Sequence, residues 1–400
     1  MQSKTIINLL NNENSRHFIG EHIKDSVTEL ALRATKYPEI DIKAASQLIS
    51  LYQKAKIKLP EHYKLMAALN KKSYEQCTSE RVAEYKSRFM NVEGKEIVNL
   101  SGGLGVDDLA FAKLASKVES CELDEDIHAL ASFNKDLYGY THYHRFFTDG
   151  TEFIKQHKPV DIIYVDPDRR PNASRVFKLE DCEPDILSHM NLFMEKGSEV
   201  WIKLSPMADI TYLERILPNI TKIAVIGWQE EVKEILVCCT KYRSVTNVER
   251  YAIRLTPKSD QIYKQSDIAI SGVFVNEGNY LYEPDNTIIK AGLSAEYAEF
   301  LGLSRLGPQT HFYISNKLKD EFQGRVFKII QRLAYKPKFI AEYLKQNAMA
   351  RADITVRNFR ETSAELSLRF KLKQTGENYL CFANDHQKQA WMYHVMPLNQ

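Results

Sequence analysis

The residues best suited to do chemistry lie between Glu96 and Arg170, in four polar or glycine-rich signals that each follow a predicted strand. The first is Glu96-Ile97-Val98-Asn99-Leu100-Ser101-Gly102-Gly103-Leu104-Gly105, an apolar run passing into glycines, with a helix predicted from Val106-Asp107-Asp108-Leu109. Glu122 ends a second strand, Lys117 to Cys121, nineteen positions beyond Gly103. Thr148-Asp149-Gly150 follows Tyr143 to Phe147, and Asp166-Pro167-Asp168-Arg169-Arg170 follows Val160 to Val165. A nucleoside-like ligand lying across strand tips needs a close backbone approach, which glycine permits because it has no Cβ and tolerates positive φ; Gly103 and Gly105 fit that need. A helix opening after them presents unpaired N–H groups to an anionic group such as a carboxylate. An acid about 20 residues past such glycines can accept both ribose hydroxyls, which is the role expected of Glu122. Asp149 can accept from an adenine amine.

Each signal also has a plainer reading. Glycines between a strand and a helix can serve packing alone, and Asp149-Gly150 can be an ordinary turn. Two aspartates, a proline and two arginines at the tip of a largely apolar strand are costly without a purpose, so Asp166 to Arg170 is read as functional.

These tips require an alternation of strands and helices from Glu96 to about Leu204, the pattern of a parallel sheet with crossover helices. Trp201-Ile202-Lys203-Leu204-Ser205-Pro206 gives a fifth tip. Lys222 to Ile226 and Glu234 to Cys239 are separated only by Gly227 to Lys233, a connection too short for a parallel crossover, so that pair is predicted antiparallel. Before the sheet, helical spacing in Thr28 to Ala34 and Ile42 to Ala55, stopped at Lys58-Leu59-Pro60, predicts a helical region that could act as a lid. After Tyr251 come short alternating strands, with helices expected near 295–301, 324–333 and 337–347. The expected domains are 1–90 (helical), 91–256 (the sheet), 257–315 (a small α+β module) and 316–400 (a basic C-terminal domain).

Composition fits several domains, since 400 residues exceed what one core usually serves. No run approaches the roughly 20 apolar residues of a membrane span, and the start lacks the features of a secretory signal, so a cytoplasmic protein is expected. Six cysteines show no metal-type spacing, and the eleven histidines form no cluster, so no metal is expected. Net charge is only +2, but from Lys317 onward there are fifteen Lys and Arg against eight Asp and Glu, a net of +7. Arg351, Arg357 and Arg360, with Phe359 beside them, suit phosphate contact and base stacking, or else a solvated strand face.

The series Asn99 to Gly105, Glu122, Asp149 and Asp166-Pro167 resembles the motifs of class I S-adenosylmethionine-dependent methyltransferases. Glu75 to Lys86 is similar to the lead-in helix of RNA guanine-N2 methyltransferases and trimethylguanosine synthase. Tyr280-Leu281-Tyr282-Glu283-Pro284-Asp285 with Ile288 to Leu293 resembles bacterial methyltransferases bearing a C-terminal THUMP-like domain. The resemblance implies a Rossmann-like, seven-stranded α/β sheet with an N-terminal helical region and small C-terminal α+β modules, ferredoxin-like over 257–315 and THUMP-like over 316–400. It implies S-adenosylmethionine as cofactor and RNA as partner. Gln76, Thr78, Asn99, Ser101, Gly103, Gly105, Glu122 and Asp149 would hold the donor, with Thr78 capping the lead-in helix and Asn99, where the family usually has an acid, near the methionine end. Asp166, Pro167, Asp168 and Arg169 stand where relatives carry an Asp/Asn-Pro-Pro-aromatic tetrad that accepts from an exocyclic amine; here no aromatic follows. Arg170, Lys203, Arg351, Arg357 and Arg360 are the substrate-binding candidates. Two other readings share parts of this pattern: a non-catalytic RNA-binding protein that keeps the fold, and a nicotinamide-dependent oxidoreductase, whose third glycine would fall at Asp108.

Overall fold

The computed structural model describes residues 1–32, 34–169, 177–242, 247–257, 259–319, 321–374 and 378–398. Contacts divide the chain into two units, Met1–Lys222 with Ile235–Val248, and Ile223–Glu234 with Glu249–Gln400.

In the first unit β1 (Glu96–Asn99), β2 (Lys117–Glu122), β3 (Tyr143–Phe147), β4 (Val160–Val165) and β5 (Gly197–Leu204) pair in parallel. β7 (Glu231–Thr240), which belongs to this unit from Ile235 on, joins them in the order β7-β5-β4-β1-β2-β3, while β6 (Ile220–Trp228) lies largely in the second unit. β7 runs antiparallel to β5, Glu199 facing Thr240 and Leu204 facing Ile235. Ile162 to Val165 of β4 are all buried, as expected of a central parallel strand covered on both faces. Strand order reverses between β1 and β4, and in open α/β sheets the crevice at such a switch point, beyond the carboxyl ends of the strands, is where ligands bind.

The N-terminal helices share a core with the loop after β1. Helix Ile42–Lys58 buries Ala45, Leu48, Ile49, Tyr52 and Ala55 on one face, and these pack in one cluster with Leu104, Val106 and Leu130. Asn134 clasps the Ala68 backbone, accepting from its N–H at 2.7 Å and donating to its carbonyl at 3.0 Å. Glu80, the first residue of helix Glu80–Phe89, accepts from the N–H groups of Glu61 and His62 at 2.8 and 3.0 Å. The cap of this helix is Ser79, whose hydroxyl accepts from Val82 N–H, and not Thr78 as expected; the helix starts one residue later, leaving Thr78 outside the turn.

In the second unit β8 (Glu249–Leu255) and β9 (Asp260–Lys264) form an antiparallel pair, in the order β9-β8-β6 with the Ile223–Trp228 part of β6. A further sheet contains β10 (Tyr280–Pro284), β11 (Tyr313–Ser315), β12 (Gly324–Ala334), β13 (Asp353–Arg357), β14 (Tyr379–Asn384) and β15 (Ala390–Pro397), in the order β11-β10-β12-β15-β14-β13, with the two-residue strand Ser304–Arg305 beside β11. Along β14, Leu380 and Phe382 enter one core cluster while Cys381 and Ala383 enter another, so the sheet is covered on both faces. The helix expected over 324–333 is strand β12. A bulge between Ile329 and Gln331 shifts the register, which breaks the period-2 alternation and lets the apolar residues imitate helical spacing.

Gly150 opens the helix after β3, and a Cβ there would stand 2.2 Å from the Leu100 carbonyl oxygen, a backbone atom. Gly150→Ala is therefore expected to lower stability by about 1–3 kcal/mol, measured as a fall in the urea midpoint at unchanged slope.

Candidate active site

A cavity of about 460 Å³ opens over the tips of β1, β2, β4 and β5 and the turn after β3. Gln76, Thr78, Asn99, Ser101, Gly103, Gly105, Glu122, Asp149, Asp166, Asp168 and Lys203 all line it. The backbone of Asp168–Arg169 continues from Pro167 as a short ribbon, Asp168 facing Glu183 and Arg169 facing Cys182. Arg170 lies outside the described residues, as does the side chain of Arg169.

The glycine loop is shaped from behind. Gly103 has φ +52°, and nothing lies within 4 Å of where its Cβ would stand, so its backbone faces open space. Gly105 has φ +83°, and a Cβ there would meet the Tyr143 hydroxyl at 2.9 Å; at Gly102 it would meet Ser120 Oγ at 2.1 Å. The groups crowding Gly102 and Gly105 form a buried network. Asp108 is fully buried and accepts from Asn99 Nδ2 at 2.6 Å, Ser120 Oγ at 2.6 Å, the Tyr143 hydroxyl at 2.8 Å and Arg145 at 3.1 Å. Arg145 also donates to the Gly103 carbonyl at 2.9 Å. Glu122 reaches the same loop from the cavity side, accepting from Gly103 N–H at 2.8 Å while its other oxygen accepts from the N–H groups of Leu123 and Asp124, each at 2.8 Å.

Over its whole length the chain resembles the crystal structure of a Porphyromonas gingivalis protein described as a methyltransferase, at 26% identity, with 100% of each chain covered and a TM-score of 0.81. It is also 23% identical over 304 residues to a Mycobacterium tuberculosis protein designated an uncharacterized S-adenosylmethionine-dependent methyltransferase, covering 75% of this chain and 79% of the relative, in each of two strains. Residues 280–322 match a ferredoxin-like domain and residues 324–397 a THUMP domain-like family. The chain is a class I S-adenosylmethionine-dependent methyltransferase with a C-terminal THUMP-like domain.

Several residues of this methyltransferase do work that their positions in the sequence do not announce. Asn99 meets the cavity, but its amide is engaged on both sides, donating to Asp108 and accepting from Ser101 N–H at 3.0 Å. Asp149 caps helix Gly150–Gln156 through the N–H groups of Thr151 and Glu152 at 2.7 and 3.0 Å. Ser101 Oγ accepts from Asp166 N–H at 2.7 Å, joining the tips of β1 and β4, and Lys203 pairs with the Asp166 carboxylate. Asp168 is exposed, yet desolvation at the cavity and the like charges of Asp166 and Glu122 raise its carboxyl above the usual range. Burial pushes the Cys77 thiol up to about 11, so this cavity residue is a poor nucleophile.

The lining holds residues that the sequence reading missed: Lys72, Asp107, Asp124, Tyr164, Glu183, Asp185 and His189. A local signal existed only for Asp124 and Asp185, each an N-cap ahead of an apolar helix. Counting Asp107, Glu122, Asp124, Asp149, Asp166, Asp168, Glu183 and Asp185, carboxylates far outnumber the lining lysines, Lys72 and Lys203. A pyrophosphate would be repelled there, whereas a cation or a set of hydroxyl and amine donors would be held. In the second unit, two of the three arginines proposed for substrate are already paired. Arg357 meets buried Glu283 at 2.6 Å, and Arg360 meets Glu361 at 3.6 Å and lies over the Tyr335 ring.

Arg145 and Asp108 have side-chain exposures of 1% and 0%, so Arg145→Met, which leaves Asp108 without its cation, should destabilise the protein by about 3–5 kcal/mol in chemical denaturation. Although burial alone would raise Asp107, Lys86 and Lys203 hold its carboxyl below the ordinary value of 3.8. Its contribution is therefore present above that value and is lost as pH falls through the lowered one. A series of thermal melts from neutral to acid pH should show a flatter acid limb for Asp107→Asn.

Proposed function

We propose that the cavity binds S-adenosylmethionine across the tips of β1 and β2 and the turn after β3, and that the methyl group goes to an exocyclic amine of a base in structured RNA such as ribosomal or transfer RNA. The observation that carries this reading is the meeting, in one cavity, of glycines and acids from five separate stretches of sequence, with Gly103 facing open space. When bound, the donor supplies a methyl group already activated by its sulfonium. The protein's task is then positioning. Glu122 lines the cavity and can accept from ribose hydroxyls once it exchanges its bond to Gly103 N–H. Asp149, in the turn after β3, suits the adenine end.

At the acceptor end Asp166 accepts from the amine to be methylated, with the Pro167 carbonyl as a second acceptor on a backbone whose φ is fixed. Lys203 holds the Asp166 carboxylate in one orientation. The neighbouring carboxylate of Asp168, less acidic than usual, is the better sink for the proton that the amine loses. No aromatic follows Asp168, so stacking on the base falls to Arg169, a planar cation. The RNA reading draws on the basic C-terminal region and its THUMP-like family match, with Arg170, Lys203, Arg351, Arg357 and Arg360 as contacts. Of these, Arg351 has the clearest path to a phosphate, because Arg357 and Arg360 must first share or leave their acidic partners.

Isothermal titration should show binding of S-adenosylmethionine that weakens roughly tenfold or more in Glu122→Ala, the loss expected for hydrogen bonds to a charged group. With labelled donor and total RNA from a strain lacking the protein, methyl incorporation should fall at least about 100-fold in Asp166→Ala. Label appearing in protein or small molecules, with none in RNA, would refute the substrate assignment.

A further inference from the structure

The hairpin loop between β14 and β15, Asp385 to Gln389, is organised by one buried carboxylate. Asp385 Oδ1 accepts from the N–H groups of Gln387 and Gln389, each at 2.9 Å, while Oδ2 accepts from the Trp391 indole at 2.8 Å and from Asn276 Nδ2 at 3.2 Å. His386 N–H donates to the Leu306 carbonyl at 3.0 Å, which ties the loop to the chain just past Arg305. Bonds to an ionised acceptor are stronger than neutral ones, so the loop backbone is fixed from within.

Planar groups are stacked around it. The exposed His386 ring lies against Phe274, with centroids 5.2 Å apart and planes within 15° of each other. Arg305 also lies over the Phe274 ring, at 5.2 Å, and donates to the Pro308 carbonyl at 3.0 Å. The Arg332 guanidinium covers the Trp391 indole at 4.2 Å and reaches Asn276 and Glu277. Lys388, exposed and with φ +62°, stands in the same loop as His386. The acids beside these cations are Glu277, paired with Arg332, and Asp385, whose oxygens the loop already occupies. Phe274 and Asn276 precede both matched stretches, 280–322 and 324–397, so neither matched domain carries this surface by itself.

We propose that the stack of His386 on Phe274, flanked by Arg305 and Lys388, is a second RNA contact and takes an unpaired nucleotide. This rests on RNA being the substrate, as read above, and adds a base-binding site in the second unit to the methyl-transfer cavity of the first. An exposed ring held flat by a ring beneath it offers a π face to a base, and such stacking tolerates any of the four bases. Bases within a duplex have their faces covered by their neighbours, so the partner is a single-stranded loop, bulge or end. The cations beside the stack suit the phosphates on either side of that base, and a neutral apolar partner would leave them unmatched.

The test uses fluorescence anisotropy on the full-length protein, comparing a labelled, unstructured RNA of about ten nucleotides with an abasic strand of the same length and charge. The wild type should bind the strand with bases about fivefold or more tightly. His386→Ala, a change at an exposed side chain, should remove most of that preference while affinity for the abasic strand and its salt dependence stay within about twofold. His386→Tyr, which keeps a ring, should retain the preference. An unchanged preference in His386→Ala, or an equal loss in His386→Tyr, overturns the inference. So does equal binding of both strands by the wild type, the result expected of a surface that meets an acidic protein through charge alone. Each of these outcomes leaves the substrate reading to be decided separately, by methyl incorporation into RNA from labelled donor.

Discussion

The buried ion pair of Asp108 and Arg145 is the constraint on which the first unit's site depends. Both side chains are shielded from water, and four donors converge on the one carboxylate. Taking two charges out of water is costly unless nearly every lone pair and proton is satisfied, and here the satisfying groups come from β1, β2, β3 and the helix after the glycine loop. The pair therefore locks those four elements to one another at the level of the strand tips. Arg145 extends the lock by holding the Gly103 carbonyl, which turns the opposite edge of that peptide unit toward the cavity. The loop's exposed face is set by what is buried behind it.

A second buried charge pair, Lys86 with Asp107, serves a different end. It brings the N-terminal region into the site, because Lys86 lies on helix Glu80–Phe89 while Asp107 lies just after the glycine loop. The N-terminal region also shares its apolar core with Leu104 and Val106. It thus supplies one wall of the cavity through Lys72, Gln76, Cys77 and Thr78, and is integral to the site as much as a cover for it. The acid-rich lining that results is matched to a ligand with a positive centre and several donor groups, and opposed to one with a pyrophosphate.

The parallel alternation, the antiparallel return and the location of the cavity at the strand tips were legible because they depend on local signals of short range. A run such as Val160 to Val165 can be buried on both faces only as a central strand, and the short link before β7 permits only an antiparallel return. Gly103, Gly105 and Glu122 were legible because a close backbone approach and a carboxylate at a strand tip each leave a distinctive residue type. Strand β12 was not, since its bulge disguises the alternation. Nor was the cap of the lead-in helix: Thr78 and Ser79 are adjacent residues that both can cap, and Ser79 is the one that does.

What the sequence determined by itself is the set of strand tips and the kinds of group they carry, because these follow from periodicity, glycine conformational freedom and the placement of acids. What only the tertiary structure decided is which of those groups are free to meet a ligand. Asn99, Asp107 and Asp108 lie within ten residues of one another and look alike in a linear reading. In the fold, the first two of these positions part company: Asn99 is bound up with Asp108 in a network closed by Ser120, Tyr143 and Arg145, and Asp107 is bound instead to Lys86 and Tyr164. Hydrogen-bond satisfaction in a buried site is settled by partners brought from distant strands, and no local pattern encodes it.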